Sequence, residues 1–464
     1  MNEHFSTHAA SPTLKVTRLA NGVTVVTEPM PGVATASLGV WVGAGSRHER
    51  ADESGLSHLI EHMAFKGTAR RSARDIAEEI ENVGGEINAA TSTETTSYTA
   101  RVLGEDAGLA LDVIGDILTS ATFEAGELAR EKGVILQEYA AIEDTPDDVV
   151  YDAFTEAAFP GQPVGRPIIG RPETIHSFDE AGIRAYLARE YTPDRLVVAG
   201  SGSVQHEAIV AAAEQHFGGL KAAEAPPMEP GRYGGGERRM KRKLEQANLV
   251  IGLPGLSFRD EGYYALHMFA QVLGGGLTSR LWHEVRETRG LAYEIQAFHW
   301  PFSDCGLFGI GAGTAGSDVA ELVAVTLEAT TRAARDLDEI EIARAKAQLK
   351  VSLLSALETP GGRIERNARQ ILAWGRVIPA SEVIAKVDAV TVDDVRAVAT
   401  TMLGGTPTVA AIGPIAGLPS IDKIAAGLSG GADPPVFASA AKQFRAAPGS
   451  PSGPLPWIAS LRSR

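Results

Sequence analysis

Three side chains in one short stretch, His58, Glu61 and His62, have the types and spacing of a metal-dependent hydrolytic site. Residues at i, i+3 and i+4 share one face of an α-helix, so the two imidazoles and the carboxylate would project together. Two neutral imidazoles one turn apart can bind one zinc ion, and Glu61 could then accept a proton from an attacking water. The alternative is a pair of surface histidines on an amphipathic helix.

A catalytic zinc site also needs a third protein ligand, and the helix predicted over 125–143 offers two acidic candidates. Glu131 and Glu138 are seven positions apart and therefore lie on the same side of that helix. Glu138 interrupts an apolar stretch that includes Val134 and Ile135, where an unpaired carboxylate is unfavourable and a metal would stabilise it. The alternative is that Glu138 simply faces solvent.

Hydrophobic periodicity predicts the elements that must position these residues. Strands are predicted over 16–28 around an Asn-Gly turn, 34–43, 87–103 and 195–200, and helices over 54–65, 72–83, 106–120 and 125–143. The histidine motif would therefore lie on the first helix and the acidic pair on the fourth.

Segments of the first half of the chain recur in the second half at a nearly constant spacing. Residues 142–146 match 356–360 at an offset of 214, residues 36–46 match 247–257 at 211, and 183–185 match 395–397 at 212. Similar offsets in the same order predict two homologous domains. The predicted fold class is α+β, with an antiparallel sheet packed by helices on one face in each domain.

The same repeat separates residues needed for chemistry from residues needed for folding. Glu131 corresponds to Ala345 and Glu138 to Ser352, and the matching helix of the second half, 262–276, holds no histidine pair. Residues required only for folding would be expected in both copies. Their presence in one copy favours a functional site.

Composition divides the chain into four parts. These are a metal-binding domain over 14–220, a Gly/Pro-rich linker over 221–243, a homologous domain without a metal site over 244–427, and a weakly ordered tail over 428–464.

The totals exclude several classes of protein. One cysteine among 464 residues, Cys305, excludes disulfides within the chain and cysteine-based zinc clusters. A net charge of −15 disfavours nucleic acid and anionic membranes as partners. No uncharged stretch reaches the ~18 residues of a membrane-spanning helix, and the first twenty residues lack a signal-peptide pattern. We expect a soluble cytoplasmic protein, with a periplasmic location left open.

Four segments together resemble a known family, the pitrilysin-type zinc peptidases or inverzincins of family M16. They are 58–68 (HLIEHMAFKGT), 84–98 (GGEINAATSTETTSY), 131–146, and 274–293 (GGGLTSRLWHEVRETRGLAY), the last being similar to the family's second-domain signature. The chain looks most like bacterial relatives of the beta subunit of the mitochondrial processing peptidase.

The resemblance implies a role for each residue of the candidate site. His58, His62 and Glu138 would bind one zinc ion per chain, with Glu61 as the general base and Glu131 as a carboxylate behind the ligands. The separation of 76 positions between His62 and Glu138 suits the family.

The resemblance also implies how a substrate would bind. Asn88 and Ala89 would lie on an edge strand that pairs with an extended peptide. Arg286 and Tyr293 would reach from the second domain to the substrate carbonyl or the tetrahedral intermediate.

The implied function is a zinc-dependent endopeptidase that cleaves unfolded polypeptides or oligopeptides inside an enclosed chamber. Because family members build such a chamber from four domains, a two-domain chain would pair with a second chain, most simply as a homodimer. The alternatives are a non-catalytic core or scaffold subunit, and a regulatory subunit that is active only with a different partner.

Overall fold

The computed structural model describes residues 13–222 and 226–429, which form two β-sheets covered by α-helices. The predicted tail over 428–464 lies outside the described residues except for its first two positions. Within the described residues, no helix combines the length and apolar composition needed to cross a bilayer.

Six strands form the first sheet and five form the second. The strands of the first sheet are β1 (Lys15–Arg18), β2 (Thr24–Pro29), β3 (Thr35–Val42), β4 (Glu86–Thr91), β5 (Thr96–Leu103) and β6 (Leu196–Gly202). Those of the second are β7 (Gly236–Lys241), β8 (Gln246–Gly255), β9 (Ala292–Pro301), β10 (Gly306–Ala315) and β11 (Thr408–Gly413).

The α-helices follow in chain order. In the first half they are α1 (Leu56–Ala64), α2 (Ala73–Glu81), α3 (Ala107–Thr119), α4 (Ala125–Glu143), α5 (Pro146–Ala158), α6 (Pro172–Ser177), α7 (Glu180–Glu190) and α8 (His206–Phe217). In the second half they are α9 (Tyr263–Gly274), α10 (Val319–Asp336), α11 (Glu339–Ala356), α12 (Pro360–Trp374), α13 (Ala380–Ala389), α14 (Val392–Leu403) and α15 (Ile421–Leu428).

The first sheet has the strand order β1-β2-β6-β3-β5-β4. The predicted Asn21-Gly22 turn joins β1 to β2, and Gly22 has a φ of +112°, which glycine adopts without strain. The sheet is not wholly antiparallel as predicted, because β2 and β6 pair in parallel. A parallel pair needs a long crossover between its strands, and here most of the first half of the chain supplies it.

The second sheet has the order β7-β11-β8-β10-β9 and repeats this arrangement, with β7 and β11 as its parallel pair. Strand β7 lies inside the segment that composition predicts to be linker. Its charged side chains Glu237, Arg238 and Lys241 are typical of a sheet edge, where charge opposes pairing with other chains. The charge run that suggested a linker therefore belongs to an exposed edge strand.

Both faces of each sheet are covered by helices, and one covering helix comes from the other half of the chain. Helix α12 packs Ile364 and Ala368 against Trp41 and Val197 of the first sheet. On that sheet's opposite face, α3 and α8 bury the other side chains of the same strands.

Helix α5 makes the reciprocal contact with the second sheet. Its Val150 and Phe154 pack against Val250 and Ala410. The prediction of helices on one face is thus corrected, because the exchanged helices cover the second face. Each of these two helices begins at the proline of one of the equivalent threonine-proline pairs of the predicted repeat.

A buried arginine joins the two halves beside the first sheet. Arg47 has a fully buried side chain and forms ion pairs of 2.7 Å with both Glu94 and Asp304. Glu94 also accepts hydrogen bonds from the backbone and the hydroxyl of Ser303. The β4–β5 turn is therefore fixed to the β9–β10 turn of the other domain.

Candidate metal centre

Helix α1 carries the histidine motif, and the packing around its first turn fixes its position. Gly55, just before the helix, has a φ of +94°, and a Cβ there would lie 2.6 Å from the Ile169 carbonyl oxygen. The buried Glu49 carboxylate accepts hydrogen bonds from the backbone N–H groups of Gly55 and Ser57, at 2.9 and 2.7 Å. These contacts satisfy amides that the first turn of a helix leaves free.

Helix α4 packs against α1 and supplies both acidic candidates. The Glu131 side chain is 6% exposed, and that of Glu138 is 33% exposed. The apolar stretch around Glu138 is less buried than predicted, since Val134 is 45% exposed. Glu138 is therefore half-buried and turned toward the histidines, so the alternative that it simply faces solvent does not describe it.

The structure brings His58, His62 and Glu138 together. The Nε2 atoms of His58 and His62 lie 3.7 and 3.8 Å from Glu138 Oε2, and candidate ligand atoms of the three residues all lie within 4.8 Å of one another. Zinc bonds of about 2.1 Å in a tetrahedron place ligand atoms about 3.4 Å apart, so small side-chain movements would close the site around an ion. Among residues 13–222 and 226–429, no other cluster of His, Cys or acidic residues meets this criterion.

Burial sets the protonation states that such a site requires. Burial, and then the neighbouring His62, lowers the pKa of His58 to about 3, so its imidazole is neutral near pH 7. Burial raises the pKa of Glu138, and the nearby His62 partly opposes this shift. Two nitrogens and one carboxylate oxygen match the donor set of catalytic zinc sites with an open fourth position.

Glu61 lies on the same helix, facing the space beside the two histidines. One of its carboxylate oxygens, Oε2, is buried and has no hydrogen-bond partner in the described part of the chain. Burial raises the pKa of Glu61, while hydrogen bonding from Thr91 of β4 opposes that shift. A buried carboxylate with a free oxygen is suited to accept a proton from a bound water.

Glu131 contacts the metal-ligand candidate His62 and a residue to which the sequence assigned no role. Glu131 Oε2 lies 3.1 Å from His62 Nδ1, as expected for a carboxylate behind a ligand. Its other oxygen, Oε1, lies 2.8 Å from Nζ of Lys66. Lys66 follows His62 by four positions, and this spacing is the only sequence signal that could have identified it.

Asn88 and Ala89 lie on β4, which is the outermost strand of the first sheet. This confirms the predicted edge position, because among the described strands β4 pairs only with β5. Helix α1, which carries the histidines, packs against β4. Asn88 is exposed, whereas Ala89 is buried.

The structure does not link Arg286 and Tyr293 to the histidines through a hydrogen bond, ion pair or ring contact between described residues. The Arg286 guanidinium lies over the Trp282 ring, 4.0 Å from its centroid, and over the Tyr293 ring at 4.7 Å. Tyr293 is 79% exposed. Their roles toward a substrate therefore stay predictions.

Comparison with known families agrees with an arrangement in which one domain carries the candidate metal ligands and the other lacks them. The family described as insulinase, peptidase family M16, matches residues 24–172, and the peptidase M16 inactive domain matches residues 177–349. The second match begins just before α7 of the first domain and includes Ala345, which stands at the position of Glu131.

Two relatives that are both described as zinc proteases match over most of the chain. An uncharacterized zinc protease of Streptomyces coelicolor is 40% identical over 413 residues, which cover 87% of this chain and 90% of that protein. A second one, from Bacillus subtilis, is 37% identical and covers 86% of this chain and 98% of that protein.

Two solved structures share the fold. A chain of complex III2 from Candida albicans has a TM-score of 0.80 at 25% identity, covering 89% of this chain and 99% of that one. A protease from Helicobacter pylori has a TM-score of 0.79 at 22% identity, covering 87% of this chain and all of that one. The family matches and the 40% identical relative show that the chain belongs to peptidase family M16, a family with zinc proteases.

Proposed function

We propose that the protein is a zinc-dependent endopeptidase with one zinc ion per chain, held by His58, His62 and Glu138. The observation that carries this proposal is the convergence of two imidazole nitrogens and one carboxylate oxygen beside the buried Glu61. A zinc ion bound there would supply Lewis acidity to the scissile carbonyl and to the attacking water.

Different residues of the chain would transfer the proton and bind the peptide substrate. Glu61 would take a proton from the attacking water and return it to the leaving amine. Asn88 and Ala89 would hold an extended peptide by strand addition at the free edge of β4. Arg286 and Tyr293 would donate to the substrate carbonyl oxygen as it gains charge, which requires the substrate to bridge the two domains.

We propose unfolded polypeptides or oligopeptides as substrates, because strand addition requires an extended backbone. We also propose that two copies form a homodimer that encloses the site. The rival function is a non-catalytic core or scaffold subunit, and the likeness to a chain of complex III2 favours membership of a larger assembly.

The test compares wild type with Glu61→Gln for bound metal and for cleavage of a quenched peptide library. We expect zinc in both proteins, chelator-sensitive cleavage by wild type, and a rate at least about 10²-fold lower in the variant. Cleavage by Glu61→Gln at the wild-type rate would refute the role of Glu61. A zinc-loaded wild-type protein that cuts nothing would favour the non-catalytic rival.

A further inference from the structure

Lys66 completes a chain of contacts that ends at a proposed zinc ligand. Its Nζ lies 2.8 Å from Glu131 Oε1, and Glu131 Oε2 lies 3.1 Å from His62 Nδ1. The three side chains span the junction of α1 and α4. Lys66 lies just past the end of α1, where its backbone N–H donates to the Met63 carbonyl.

The Glu131 carboxylate is in an environment that favours a cationic partner. Its side chain is 6% exposed, so little water is available to solvate its charge. His62 can donate one N–H to it, and an imidazole that binds a metal through its other nitrogen adds no positive charge. Lys66 supplies that charge, and its own side chain is 31% exposed.

Other charged groups of α4 do not take the place of Lys66. Arg130, next to Glu131 in the sequence, forms an ion pair with Glu127 instead. Lys132 points elsewhere, donating to the His176 carbonyl oxygen at 3.1 Å. In the described structure, Lys66 is the only lysine or arginine in an ion pair with Glu131.

The contact to Glu131 determines which nitrogen of His62 faces the metal centre. With Nδ1 bonded to Glu131, the Nε2 atom is directed to Glu138 at 3.8 Å. His58 has no equivalent support, since its Nδ1 is buried without a hydrogen-bond partner among the described residues. The ring orientation of His62 therefore depends on a carboxylate whose own position depends on Lys66.

We propose that Lys66 is a positioning residue of the metal centre, acting through Glu131 to orient His62 for the metal. This inference rests on the proposed function only in requiring that the three-residue site binds zinc. It adds a determinant of metal affinity that touches neither zinc nor substrate.

Zinc affinity, measured by competition with a chromophoric chelator, tests the proposal in the full-length protein. We expect Lys66→Met to weaken zinc binding about 10-fold, the lower end of the range for groups that support metal ligands. Lys66→Arg should recover most of the affinity, because the cation is retained. Lys132→Met is the matched control on α4 and should bind zinc like wild type.

A double variant separates positioning from a merely structural effect. Glu131→Gln should weaken zinc binding by itself, and adding Lys66→Met should cause little further loss, because both changes break one chain of contacts. The melting temperature of each metal-free protein shows whether a variant has simply lost its fold.

Three results would contradict the proposal. Unchanged zinc affinity in Lys66→Met would overturn the role of Lys66 while leaving the zinc site intact. Fully additive losses in the double variant would show that Lys66 does not act through Glu131. Absence of zinc binding by wild type would overturn the metal centre itself.

Discussion

Among the residues of the metal centre, Glu138 differs most from the others in its surroundings. It is half-buried on α4 beside the exposed Val134, whereas Glu61 and Glu131 are buried among helices and strands. Burial raises the pKa of Glu138, and the nearby His62 partly opposes that shift. Such a side chain contributes to a site rather than to the stability of the fold.

The first prediction concerns this residue. Glu138→Ala should lose the bound zinc but melt, as metal-free protein, within a few degrees of metal-free wild type, because a half-exposed side chain contributes little packing. Metal analysis and thermal unfolding with chelator present would measure both quantities. Gln137→Ala, at an exposed position of α4, is the control and should retain its zinc. Full zinc occupancy in Glu138→Ala would refute the assignment of this ligand.

At the level of elements, the first sheet, α1 and α4 position the candidate metal ligands, while the equivalent elements of the second domain lack those residues. Helix α11 stands where α4 stands in the first domain, and Ala345 replaces Glu131 in its buried face. In the second sheet, β9 carries the buried His299, whose Nε2 donates to the Leu256 carbonyl oxygen at 2.7 Å. His299 Nδ1 has no hydrogen-bond partner among the described residues.

His299 gives the second prediction, on stability against pH. Burial lowers its pKa to about 4, from an ordinary value of about 6.5 in the unfolded chain. Between these values the unfolded state binds a proton that the folded state does not, so the free energy of unfolding falls as the pH falls from 6.5 to 4. The stability contributed by neutral His299 is therefore fully present above pH 6.5.

Melting temperatures across this pH range, with chelator present, test the prediction. His299→Gln, which can still donate to Leu256, should show a shallower loss of stability on acidification than wild type. His176→Gln, at an exposed histidine, is the control and should follow wild type. Equal slopes in His299→Gln and wild type would contradict the prediction. Burial also lowers the pKa of the neighbouring His267 to about 4, so part of the slope should persist in the variant.

Local pattern was sufficient to predict several elements and the core of the site. Helix α4 has the predicted bounds, and the β1–β2 hairpin turns at Asn21-Gly22. The i, i+3, i+4 spacing of the motif on α1 predicted the shared face because helix geometry alone determines it. These features depend on residues close together in sequence.

Features that depend on distant parts of the chain were not predictable in this way. The amphipathic pattern of α5 and α12 predicts that each helix has one buried face. The pattern does not indicate that this face packs against the sheet in the other half of the chain. Strand β7 pairs with β11, which lies near the other end of the second domain in the sequence. Local composition showed only the charge run of β7 and therefore predicted a linker. Lys66, just past the end of α1, contacts Glu131 of α4, and its spacing from His62 does not indicate that contact.

For the whole molecule, the exchange of α5 and α12 makes each half of the chain dependent on the other. Trp41, 1% exposed, and Val197 of the first sheet are covered by α12, and Arg363 of that helix forms a 2.7 Å ion pair with the buried Glu28. The Arg47 ion pairs with Glu94 and Asp304 add a second connection, at the β4–β5 turn. The relative position of the two domains is therefore fixed by the packing of the exchanged helices in both hydrophobic cores.

The third prediction follows from this exchange. A fragment ending at residue 222 keeps all six strands of the first sheet but loses α12, which exposes one apolar face of that sheet. We expect it to lack cooperative thermal unfolding when expressed alone, and to co-purify with a fragment of residues 223–464 when both are expressed together. A first fragment that unfolds cooperatively at the wild-type temperature would show that the exchanged helix is dispensable.

The most direct test of the metal centre is anomalous diffraction at the zinc edge from crystals of the zinc-loaded protein. We predict one strong peak per chain, about 2.0–2.2 Å from the Nε2 atoms of His58 and His62 and from a carboxylate oxygen of Glu138. A peak elsewhere in the molecule, or a zinc ion on the histidines with Glu138 turned away, would contradict the proposed ligand set.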